Sequence, residues 1–129
     1  MITFILILTM FLGQPVDGFA TYYADYHHGN VMRNGEVYDM YDPTTVAVAV
    51  DARGDPVVPL GSKILACTED HCIVLTVRDT GRFARINLDF SLGAWEAIGK
   101  ARGNRPVAIS WWVIPELEGD EGCIPIYSL

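Results

Sequence analysis

The sequence predicts a mainly β domain, a small barrel of five or six short strands with one short helix. Three observations carry this. Short apolar runs recur between clusters of Gly, Pro, Asn and Asp. One segment, Ser91 to Ile98, spaces its apolar side chains for a helix. No repeat or linker-like stretch divides the chain, and 129 residues suffice for one core.

In chain order, Phe19-Ala20-Thr21-Tyr22-Tyr23 is rich in β-formers, and residues 24–45 are irregular, with Asn34-Gly35 as a turn signal. Val46 to Val50 alternates Val with Ala and ends at Asp51. Gly54-Asp55-Pro56 and Pro59-Leu60-Gly61 read as loop and turn. Lys63 to Cys67 and Cys72 to Val77 flank the polar turn Thr68-Glu69-Asp70-His71 and read as a hairpin. Ser91 suits an N-cap, Leu92, Trp95 and Ile98 form one apolar stripe, and Gly99 and Gly103 offer a stop. Val107 to Ile114 is the last strand. Within it Trp111 and Trp112 face opposite sides, so one is expected inside and the other partly exposed.

Sixteen acidic against nine basic residues, net −7, exclude a basic stripe for a nucleic-acid backbone. Half the residues are hydrophobic and 19% charged, which excludes disorder. Phosphate-cradling glycine motifs and HExxH are absent, so no nucleotide cofactor and no metal is expected.

The first thirteen residues are almost wholly apolar and uncharged. That run is shorter than the roughly 20 residues a spanning helix needs, and it fits a signal-peptide core. Val16 and Gly18 would stand at −3 and −1 of a cleavage site, although no Lys or Arg precedes the run. An uncleaved anchor or a buried first strand is the alternative. The expected division is residues 1–18 as leader, 19–114 as barrel and 115–129 as an acidic extension. Cys67 and Cys72 would face each other across the hairpin, within disulfide reach. Their spacing does not match a zinc knuckle, and an oxidising compartment agrees with secretion. Cys123 is left over.

Five fragments fall in one order: residues 18–23 (GFATYY), 34–40 (NGEVYDM), 58–62 (VPLGS), 78–83 (RDTGRF) and 86–91 (INLDFS). That order resembles the double-psi β-barrel of the rare lipoprotein A group of peptidoglycan lytic transglycosylases. The likeness covers residues 18 to about 114 and implies a six-stranded double-psi barrel. Val50-Asp51, Asp79-Thr80-Gly81 and Leu88-Asp89 are also similar to the three-aspartate domain of cell-wall lytic enzymes. The stretch from Ser91 to Trp111 is similar to expansins, which loosen wall polymers without cleaving them. Fold alone does not choose between cutting and binding.

The resemblance implies a secreted, periplasmic or cell-wall protein, expected as a monomer, acting on peptidoglycan or a related wall polysaccharide. It makes Asp79 the catalytic acid, giving a proton to the leaving oxygen and then taking one from the sugar's own 6-hydroxyl to leave an anhydromuramyl end. The residues alone leave open a turn Asp paired with Arg78 or Arg82, which would oppose protonation. Asp51 stands where relatives carry a His. It is the candidate second carboxylate, or else the cap of a turn. Glu36 matches an acidic position of the family pattern and would bind a sugar hydroxyl or couple to Asp79. Tyr23, His28, Tyr38 and Arg82 are candidate sugar contacts, and Asp89 is expected to be structural, just before the helix N-terminus. An expansin-like binding module without catalysis is the alternative function.

Overall fold

The computed structural model of the chain describes residues 2–115. Six strands form: β1 (Val16–Tyr23), β2 (Thr45–Ala49), β3 (Lys63–Cys67), β4 (Cys72–Gly81), β5 (Leu88–Ser91) and β6 (Val107–Ile114), with helices α1 (Ile2–Leu12) and α2 (Leu92–Ala97). They close into a barrel in the order β1-β5-β2-β4-β3-β6. The β1–β5 and β2–β4 pairs are parallel and the other four antiparallel. This is the mainly β, six-stranded double-psi barrel expected from the sequence.

Alternation builds the core. Ala20 and Tyr22, Val46 and Val48, Leu75 and Val77, and Leu88 and Phe90 point inward and are buried. Their neighbours Thr21, Ala47, Asp89 and Tyr23 therefore face outward on the same strands. Strand β4 breaks its period once. The register with β2 shifts between Val46 and Ala47, so that Val77 pairs with Val46 but Asp79 with Ala47, leaving Arg78 as an extra residue. An unbroken alternation would put Asp79 on the same face as buried Val77. The bulge turns it outward.

Ser91 caps α2, its Oγ accepting from Ala94 N at 3.2 Å, and Leu92, Trp95 and Ile98 are buried as the stripe requires. The hairpin closes on a Cys67–Cys72 disulfide. Two expectations change. Strand β1 begins at Val16, three residues before the β-rich run read from Phe19, and Val16, Asp17 and Gly18 pair with Trp111, Ser110 and Ile109. Trp111 and Trp112 are both buried. Trp111 lies in the barrel core, and Trp112 lies under α1 with Leu8, Leu65 and Cys67. The apolar N-terminal helix covers the outer face that an exposed tryptophan would otherwise occupy, and Trp112 Nε1 donates to Gly13 O at 3.0 Å. Cys123 and residues 116–129 of the expected acidic extension lie outside the described residues.

The disulfide closes a loop only five residues in span. Replacing both Cys67 and Cys72 with Ala is expected to cost about 2 kcal/mol of unfolding free energy in a urea titration. The amide NMR shifts around Asp79, at the other end of β4, are expected to stay in place.

Candidate functional site

Four strands bring one row of side chains to the outer face of the barrel. Thr21 of β1 pairs with Asp89 of β5, Asp89 with Ala47 of β2, and Ala47 with Asp79 of β4. Residues opposed across neighbouring strands share a face, so Thr21, Asp89, Ala47 and Asp79 form a transverse line. The two carboxylates flank a methyl group, two strand spacings apart, roughly 10 Å between backbones. Val-Ala-Val-Ala in β2 thus does two things. Its valines fill the core, and its small alanines, 3% and 0% exposed, leave room for the side chains that cover them on the outer side.

Asp79 is held from three sides. Its Oδ1 accepts from Arg33 N (3.0 Å) and Thr80 N (2.9 Å), and its Oδ2 accepts from the Tyr23 hydroxyl (3.0 Å). Neither Arg78 nor Arg82 is among these partners. Arg78 Nη1 donates instead to Thr44 Oγ1 and Thr45 Oγ1, both at 2.9 Å. Burial pushes the Tyr23 phenol far up, and the Asp79 charge adds to it, so Tyr23 remains a donor. Its ring stacks on Tyr38 with centroids 4.2 Å apart, and Tyr38 OH donates to Tyr23 O at 2.6 Å.

Asp89 has the opposite setting. Thr21 Oγ1 donates to Oδ1 at 2.8 Å, and Oδ2 has no partner among the described residues. Burial raises its pKa above the ordinary value of 3.8, against lowering by the Thr21 bond, His27 and Arg105, with the Asp79 charge adding to the rise. Asp89 opens on a cleft of about 590 Å³ whose walls include Tyr23, His27, Arg102 and Arg105.

The other expected site residues lie elsewhere. Asp51 caps its own turn, Oδ1 accepting from Arg53 N (2.8 Å) and Asp55 N (3.0 Å), and makes no hydrogen bond to Asp79. Glu36 is bound by Asn34 and approaches Arg78 at 3.9 Å rather than Asp79. His28 Nδ1 accepts from Met40 N at 3.1 Å and packs on Tyr41, closing the 24–41 loop. Tyr38 is 1% exposed, so it supports Tyr23 from beneath and presents no ring to a ligand. Arg82 is exposed, and no hydrogen bond or ion pair forms at its side chain among the described residues. Asp89, expected to be structural, lines the cleft together with Asp25.

Sequence reasoning gave Asp89 a structural role and did not single out His27, Arg105 or the main-chain N–H of Arg33. For Asp89 a signal existed. It alternates with buried Leu88 and Phe90 and must face outward. His27, not His28, lines the cleft, and only the turn at 24–30 decides between them. Among the described residues no group of three or more His, Cys, Asp or Glu could hold a metal ion. A larger, mostly apolar cleft of about 990 Å³ lies by Phe19, Ile86 and Ala108, away from both acids. Chemically, the row offers one acid whose pKa burial raises and which has an oxygen free of partners among the described residues, beside one carboxylate with both oxygens engaged.

No family model matches the sequence, and no curated protein sequence matches it. Among solved structures, the chain is similar to a Streptomyces papain inhibitor, with TM-score 0.65 and 22% identity over 81% of this chain and 97% of that one. It is similar to the apo form of Clavibacter michiganensis expansin, with TM-score 0.64 and 20% identity over 81% and 52% of the two chains. A substituted form of that expansin in complex with cellohexaose gives 0.63 and 17% over 82% and 53%. The chain spans about half the length of the two expansin structures. Identities this low establish a shared fold and no shared activity.

With its pKa raised on folding, Asp89 binds a proton more tightly in the folded chain than in the unfolded one. That contribution is fully present below 3.8 and is lost as pH rises through the folded value, so neutral pH carries the penalty. Asp89→Asn is therefore expected to melt at a higher temperature than the wild type at pH 7, with the gap closing below pH 3.8.

Proposed function

We propose that this chain is a secreted domain that grips a strand of cell-wall polysaccharide along the outer face of its barrel and loosens its packing without cleaving it. The observation that carries this reading is the unequal state of the two acids in one row. Asp89, buried and protonated more readily than a free Asp, has an oxygen free to hydrogen-bond a sugar hydroxyl. Asp79 already accepts three hydrogen bonds and Asp25 is paired with Arg102, so among the described residues of the row and cleft no second carboxylate is free to act as the base or nucleophile that hydrolysis of a glycosidic bond requires. The fixed Tyr23 ring in the cleft wall suits contact with a sugar face. The expansin fold neighbour in complex with cellohexaose supports a glycan as ligand. The uncharged apolar leader and the disulfide support export to an oxidising compartment.

One observation favours a second reading, a peptidoglycan lytic transglycosylase. Such an enzyme needs a single acid, and Asp89 is one. Its proton would pass to the bridging oxygen as the C1–O bond breaks. The sugar's 6-hydroxyl would then bond to C1, returning its proton to Asp89 and leaving an anhydromuramyl end. In this reading Asp89 takes the role that the family resemblance gives to Asp79.

Pull-down on purified sacculi and on cellulose, with mass spectrometry of the soluble fraction, separates these. Binding with no soluble product is expected. Anhydromuramyl ends would establish the second reading, and new reducing ends a hydrolase. Inhibition of papain without glycan binding would align the chain with the inhibitor neighbour and overturn both. Asp89→Ala is expected to weaken binding about tenfold, the scale of one lost hydrogen bond. Asp89→Asn, which keeps a donor, is expected to bind within a few-fold of wild type.

A further inference from the structure

One wall of the cleft beside Asp89 is built around a fixed arginine. Arg105 Nη1 donates to Tyr22 O at 3.0 Å, and its guanidinium lies 4.6 Å from the centroid of the Tyr22 ring. Tyr22 is itself immobile, buried against Trp95, with its hydroxyl accepting from Gly103 N at 3.0 Å. The cation is therefore oriented before any ligand arrives. A guanidinium has five N–H donors, and one of these is used on the protein among the described residues. No carboxylate among the described residues lies within ion-pair distance of Arg105, whereas Arg102 in the same cleft is matched by Asp25 through contacts of 2.6 and 3.3 Å.

The charge balance inside the cleft is thus unlike that of the whole chain. The chain carries −7, but Asp25 is engaged by Arg102, and no carboxylate forms an ion pair with Arg105 among the described residues. Arg105 is thus a cation of the cleft whose remaining donors no described carboxylate engages. Distant acidic residues are screened over about 8 Å at physiological ionic strength, while a guanidinium in contact is not. A neutral sugar needs donors and acceptors but no fixed cation. A planar fork with unspent donors is matched by a carboxylate.

We infer that Arg105 forms a subsite for a carboxylate carried on the glycan, next to the sugar held at Asp89. This rests on the glycan-binding reading and names its ligand class as an acidic glycan. The carboxylate has two chemical sources, the ring carboxyl of a uronic acid or the lactyl side chain of a muramyl strand. Both present the same planar anion.

Calorimetric titration with hexagalacturonate, a peptide-free muramyl oligosaccharide, the methyl ester of each, and neutral cellohexaose tests this. In the wild type at least one acid is expected to bind about tenfold more tightly than its own ester, and which one identifies the source. That gap is expected to shrink at high salt, a readout needing no variant. In Arg105→Gln the gap should vanish while cellohexaose binding stays within twofold. Arg105→Lys keeps the charge without the fork and should retain part of the gap if Arg105→Gln does not fold. Equal binding of acids and esters by the wild type would overturn the subsite. So would a loss in Arg105→Gln shared equally by cellohexaose. If cellohexaose binds in either case, the glycan-binding reading survives that loss. If no probe binds, both readings fall.

Discussion

A single extra residue in β4 governs the outer face of this barrel. Val77 must stay inside to complete the core with Val46 and Phe90, and strict alternation would carry Asp79 inside with it. An ionised carboxylate in that core would cost far more than one strand irregularity, because no solvent or partner could compensate it there. The bulge at Arg78 resolves the conflict. It leaves Val77 in place, turns Asp79 outward beside Ala47, and sends the Arg78 side chain to Thr44 and Thr45. Thr21, Asp89, Ala47 and Asp79 can only form a row because this register shift exists.

Two aspartates then acquire different chemistry from their surroundings alone. Asp79 meets two main-chain N–H groups and a phenol that burial keeps protonated, a setting that satisfies both oxygens and fixes the carboxylate as an anchor for Tyr23. Asp89 meets one hydroxyl and a desolvating wall, which favours its neutral form. On the proposed glycan-binding reading, such a pair gives a hydroxyl-rich polymer a fixed aromatic face on one side and a free carboxyl oxygen on the other. The apolar Tyr23–Tyr38 stack beneath the groove keeps the anchor from moving.

Much of the fold was legible in the sequence because it rests on local patterns. The hairpin, its disulfide, the Ser91 cap and the β2 alternation all follow from spacing within a few residues. The site was less legible, since its geometry depends on pairing between distant strands. No local signal marks Arg78 as the bulged residue, and the N–H of Arg33 that binds Asp79 is independent of side-chain identity. Asp51 and Glu36 look like partners for Asp79 in the sequence but are captured by their own turns, at Arg53 and Asp55 and at Asn34. Trp112 was misplaced for a related reason. Alternation puts it outside the barrel, but only tertiary packing reveals that α1 covers it.

The division of labour between the two acids is tested most directly by following the Asp89 carboxyl carbon in an NMR pH titration of the folded protein. The account predicts a midpoint above the ordinary 3.8, moving further up when a glycan occupies the cleft. A midpoint at or below 3.8 would mean that Asp89 is a charged residue at every physiological pH, and would contradict the account.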